Sequence, residues 1–101
     1  GVSGVSTLVP ARRRGWTDDI YGASARAGRL CQRELVAATG ARDLGLVQRS
    51  DLTGFNWADV PVVLVETGFL SNRREAGLLR SAAYQRKVAG ALAAAAQRFV
   101  G

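Results

Sequence analysis

Apolar side chains recur along this chain with two different periods, and the change of period marks its elements. "VSTLVP", Val5 to Pro10, is short, β-branched and stopped by proline, which predicts a strand. After the Arg12 to Gly15 loop, Thr17 is placed to cap a helix that carries Asp18 and Asp19 in its first turn, where carboxylates meet the positive end of the dipole. Apolar or small residues follow at Ile20, Ala23, Ala27, Leu30, Cys31, Leu35 and Ala38, one face of a helix that Gly40 ends. Between Asp43 and Trp57 the alternation is loose and broken by Gly45 and Gly54, predicting one strand or two short ones with a bend. "VVLV", Val62 to Val65, is an unbroken apolar run of the kind buried on both faces of a parallel sheet. Asn72 with Glu75 three residues later forms a capping box for a short helix. A last helix begins near Ser81, with Tyr84, Val88, Leu92, Ala95 and Phe99 on one stripe.

The order strand, helix, one or two strands, strand, helix, helix predicts an α/β layer architecture: a mostly parallel sheet with helices packed on it. At 101 residues the chain fits a single domain with one core. Fourteen basic residues against eight acids give a net charge of +6, which favours polyanionic surroundings such as nucleic acid, anionic lipid or an anionic cell-wall polymer. The arginines are dispersed, and the one tight cluster, "ARRRG", lacks interleaved aromatics, so a nucleic-acid site is not expected. Cys31 is alone and lies on an apolar helical face, which makes it a packing residue rather than half of a disulfide. No apolar run is long enough to span a bilayer, and no signal peptide opens the sequence.

The chemistry of interest begins where the clearest strand ends. "VPVVLVETGFLSN" runs five apolar side chains into a single carboxylate, Glu66, and then into the small Thr67 and Gly68. In open α/β sheets, reacting groups gather beyond the carboxyl ends of strands, where diverging loops leave a crevice. A carboxylate at the end of a buried strand is partly desolvated, which raises its proton affinity toward the range useful in acid–base work. A helix-capping role or an arginine partner for Glu66 is the competing structural reading.

"VPVVLVETGFLSN", followed by "YQRKVAGALAAAAQRF", resembles the C-terminal part of the zinc-dependent N-acetylmuramoyl-L-alanine amidases of the amidase-3 type. The upstream "DDIYGASARAGRLCQRELVAATGARDLGL" is similar to that family's middle helix and following loop, so the likeness runs from about Gly15 onward. It implies a truncated three-layer α/β fold, with Glu66 at the position of the catalytic glutamate. It further implies hydrolysis of the amide between the lactyl group of muramic acid and L-alanine, with zinc activating the water. Peptidoglycan is the implied substrate, and cell wall, periplasm or extracellular space the implied location, as for an autolysin.

The family's zinc ligands, two histidines and a further glutamate, lie before the matched region, and this chain has no histidine. The chain is therefore expected to be the C-terminal portion of a catalytic domain, inactive alone, with Zn held by the missing N-terminal part. A second departure is "SDLTGFNWADVP", where Asp51, Asn56 and Trp57 are candidates to line the substrate groove and Trp57 alternatively packs at a sheet edge. A sheet without its neighbours exposes an unpaired edge, with Val5 to Val9 one candidate, and this predicts self-association. The rival from another class is a non-catalytic basic α/β module that binds anionic cell-wall polymer.

Overall fold

In a computed structural model that describes residues 4–67 and 81–101, the chain forms a three-stranded sheet covered on one face by two long helices. The elements are β1 (Val5–Pro10), α1 (Tyr21–Thr39), β2 (Asp43–Arg49), α2 (Thr53–Asn56), β3 (Leu64–Thr67) and α3 (Ala82–Val100). The strand order is β2-β1-β3, with β1 parallel to β2 and antiparallel to β3. The expected α/β layering is present, and the sheet among the described residues is mixed, with one pair of each kind.

β1 is not an edge: it is the central strand, and all six of its residues are buried. The parallel α1 crossover puts β2 on one side of it, while β3 returns along the other. Side chains alternate across the strand. Val5 joins Cys31, Leu35, Ala91 and Ala95 in the core beneath the helices. Thr7 and Val9 point the same way, Thr7 toward Gln32 and Val9 toward Gly28. Ser6 and Leu8 point to the opposite face, where their partners on β3 are Glu66 and Leu64.

α1 starts later than the capping signal suggests. Thr17 does not cap it: its hydroxyl accepts from the Arg13 N–H at 2.6 Å and donates to the Ala11 carbonyl at 2.7 Å, closing the preceding loop. Asp18 serves that loop too, accepting from the Gly15 N–H at 2.7 Å. The helix ends as expected at Gly40, which is left-handed at φ 66° and returns its N–H to the Val36 carbonyl.

The buried face of α1 is Ser24, Gly28, Cys31, Gln32 and Leu35, rotated from the apolar stripe. Two of these residues explain the rotation. A β-carbon on Gly28 would stand 2.5 Å from Val9 Cγ1, so glycine sets the closest approach of helix to sheet. Gln32 is a polar clamp in the core: Nε2 donates to the Val5 carbonyl and to Asp43 Oδ1, both at 2.7 Å, and Oε1 accepts from the Thr7 hydroxyl at 2.9 Å.

β2 is one strand with a bulge against β1, between the pairs Val5 with Asp43 and Thr7 with Leu46. Gly45 supplies the positive φ of 82° that the bulge requires, and its N–H reaches Asp43 Oδ1 at 2.9 Å. The second half of the segment is the single-turn α2, whose buried Phe55 lies near β1, rather than a second strand.

β3 is also displaced. Pro61 has no N–H to give, and the Val62 N–H is taken by Ser24 Oγ at 2.9 Å, so the ladder begins only at Leu64. The apolar run is therefore not buried on both faces: Val63 and Val65 pack on the helix side, while Leu64 is 47% exposed on the other. α3 begins as predicted, with Ser81 Oγ accepting from the Tyr84 N–H at 3.2 Å, and buries Tyr84, Ala91 and Ala95. Glu34 on α1 holds Arg98 on α3 at 2.8 Å, and Arg26 caps the end of α3 through the Phe99 carbonyl. The Asn72 and Glu75 capping box and its helix lie outside the described residues.

Candidate functional site

β3 is short, but its register fixes where its carboxylate goes. Thr67 pairs with Val5, Glu66 with Ser6 and Val65 with Thr7. Val65 faces the helices, so Glu66 must face away from them, beside Ser6 at the amino end of β1. Its side chain makes no hydrogen bond or ion pair with any described residue, and the charge of Arg49 is felt only through space. The expected partial burial is not found: Glu66 is exposed, because an antiparallel outer strand puts it on the sheet face that α1 and α3 leave open. No described arginine pairs with Glu66 either: Arg49 is engaged by Asp51 through Nε at 2.7 Å. Thr67, half-buried, stands next to Glu66, and Gly68 lies outside the described residues.

The other expected site residues are elsewhere. Asn56 and Trp57 follow β2 and α2, at the carboxyl ends of β1 and β2. Asn56 donates through Nδ2 to the Ser50 carbonyl at 3.0 Å. Trp57 stands edge-to-face with Trp16, ring centroids 4.7 Å apart and planes at 72°. Glu66 is level with Ser6, four residues back along β1, or about 13 Å at the rise of a strand. The structure therefore does not bring Glu66 together with Asn56 and Trp57. Asp51, the other groove candidate, is held by Arg49, and that hydrogen bond keeps its carboxyl below the usual carboxylate range.

Around the tryptophan pair, Gly15, Trp16, Asn56, Trp57, Ala58 and Asp59 line an open cavity of about 400 Å³. The guanidinium of Arg13 lies over the Trp16 ring, 4.6 Å from its centroid. Sequence reasoning missed Trp16 and Arg13 here, because nothing in their local pattern joins the loop after β1 to the segment after β2. The available signal was that the chain has only two tryptophans, each just past a predicted strand.

The donor set does not fit a zinc site. The chain contains no histidine, and no three of its Cys, Asp and Glu side chains cluster among the described residues. The thiol of Cys31 is buried in the helix layer, and desolvation pushes its pKa up, away from the thiolate a metal requires. No described helix is long and apolar enough to cross a membrane.

Comparison with known proteins agrees with the fold. The family profile described as N-acetylmuramoyl-L-alanine amidase, amidase-3 type, matches residues 1–98. An N-acetylmuramoyl-L-alanine amidase of Mycobacterium tuberculosis is 46% identical over 48 residues, 48% of this chain and 20% of that protein. Among solved structures, the CwlD amidase of Clostridioides difficile, in complex with the GerS lipoprotein, superposes with a TM-score of 0.83 at 28% identity, over 96% of this chain and 46% of that one. The Ami1 amidase of Mycobacterium smegmatis superposes with a TM-score of 0.81 at 29% identity, over 97% and 47%. The chain thus spans less than half the length of these amidases.

Proposed function

The chain belongs to the N-acetylmuramoyl-L-alanine amidase family, and from that premise we propose that it furnishes the reacting carboxylate of a peptidoglycan amidase, Glu66. The observation that carries this reading is the β1–β3 register, which sets Glu66, exposed and unpaired among the described residues, beside the small Ser6 on the sheet face away from α1 and α3. An arginine pair ties up the oxygens of a carboxylate and lowers its proton affinity, and no described arginine engages Glu66.

In the proposed reaction, water adds to the lactyl carbonyl carbon, the carbon–nitrogen bond breaks, and the proton lost by the water ends on the amino group of L-alanine. Glu66 is the group in this chain suited to carry that proton from water to nitrogen. Thr67 and Gly68, small residues next to it, leave room for the substrate. The family's zinc chemistry finds no ligands here, so a metal would be held by residues outside this chain, in the remaining part of the catalytic domain. These 101 residues alone are accordingly inactive. Location in the cell wall, the periplasm or the extracellular space follows from the substrate.

Charge favours a second reading, a non-catalytic module that holds anionic wall polymer with its excess of six positive charges. Product analysis on purified peptidoglycan separates the two. An amidase carrying these residues together with its metal-bearing part is expected to create new L-alanine amino termini and no new reducing sugar ends, while the 101-residue chain alone creates neither. New reducing ends, or lysis by the isolated chain, would contradict the proposal.

A further inference from the structure

The geometry points to a second site in this chain, a holding site for N-acetylated glycan built on Trp16 and Trp57 and separate from Glu66. It rests on the peptidoglycan reading only for the choice of sugar; the surface itself is argued from the structure.

Trp57 is 68% exposed and Trp16 39%, a large aromatic area to leave in water on so small a chain. The two rings differ in what they can still do. Trp16 is engaged on its face by Arg13 and against its ring by Trp57. Its orientation is thereby fixed, and it holds Trp57 edge-to-face with an open indole surface. A π-face is electron-rich, so it attracts the weakly positive C–H groups that a pyranose ring presents on its less polar side.

The rest of the lining suits the sugar's perimeter. Asp59 offers carboxylate acceptors for hydroxyl groups, and Asn56, tied to the Ser50 carbonyl through Nδ2, adds a fixed polar wall whose buried Oδ1 has no described partner. A few polar groups around an aromatic floor is the composition expected of an orienting small-ligand site. The charges at the site offset one another, Asp59 in the lining against Arg13 over Trp16, which suits a neutral N-acetylhexosamine chain. Because the cavity is built on the segments that follow β1 and β2, while Glu66 pairs with Ser6 toward the start of β1, it would hold the glycan strand away from the bond being cut.

The two tryptophans of the chain are both in the site, so their fluorescence reports on it without background. The probe is chitotetraose, an oligomer of N-acetylglucosamine that has neither lactyl group nor peptide and so offers no bond to the proposed Glu66 reaction. A saturable change in tryptophan emission is expected on titration into the 101-residue chain, unchanged by Glu66→Gln. Trp57→Ala is expected to weaken binding, measured by calorimetry, by about tenfold or more, with Trp57→Phe falling between. Trp57 is so exposed that neither substitution disturbs the core, and circular dichroism verifies this.

Absence of a saturable change overturns the site. So does binding by a folded Trp57→Ala chain that equals the parent, or binding abolished by Glu66→Gln. Any of these, with amide hydrolysis by the complete enzyme intact, removes the glycan site and leaves the Glu66 reading standing.

Discussion

Gln32 shows how much one polar residue contributes in this fold. Its amide joins the Val5 carbonyl, the Thr7 hydroxyl and the Asp43 carboxylate, and so ties α1 to the central strand and to the start of β2. Thr7 is fully buried, so removing the amide strands its hydroxyl without water. Gln32→Leu, which preserves volume, is expected to lower unfolding free energy by about 2–4 kcal/mol, read from the urea midpoint at constant slope. A change below about 0.5 kcal/mol would mean that the clamp is replaced by other partners. The role of Gln32 was not legible beforehand, because amphipathic reading assigns Gln to the solvent side and only the three-dimensional partners reveal otherwise. Glu66 was legible as a strand-end carboxylate, and its exposure was not, since exposure depends on which side of the sheet the helices occupy.

Elements with local signals came out where the sequence placed them. Gly40 ends α1, Ser81 caps α3, and Tyr84 with Ala95 lies on the buried side of α3. Elements defined by partners did not. β1 has a short β-branched pattern that fits an edge as well as a centre, and only the return of β3 decides it. The VVLV run looks doubly buried, but Pro61 and the bond from Val62 to Ser24 delay the ladder, and of the residues that follow, Leu64 falls on an exposed face while Val63 and Val65 pack beneath the helices. The same lesson applies between α1 and β1, whose contact depends on the absence of a side chain at Gly28. Gly28→Ala raises helix propensity yet forces a methyl to 2.5 Å from Val9 Cγ1. Overpacking should win, with a net loss of about 1–3 kcal/mol in thermal or chemical unfolding. Relief by Val9→Ala in the double variant would locate the clash; stabilisation by Gly28→Ala alone would contradict the close approach.

At the scale of the molecule, one sheet face is covered by α1 and α3, while the other carries Val47 on β2 at 39% exposure and, beside Glu66 on β3, Leu64 at 47%. Val60, just before β3, is 67% exposed. Apolar surface of this kind next to an outer strand favours association. The isolated chain is therefore expected to sediment as oligomers at micromolar concentration, and Val47→Lys with Leu64→Lys to shift it toward monomer. A monomeric parent chain with a cooperative, high-midpoint transition would contradict this.

The role of Glu66 is tested most directly by Glu66→Gln in an amidase that carries these residues together with its metal-bearing part. The substitution keeps the size of the side chain and removes the proton acceptor. Turnover on purified peptidoglycan is expected to fall about 10²- to 10⁴-fold, with metal content and peptidoglycan binding retained. Turnover equal to the parent enzyme would contradict the assignment.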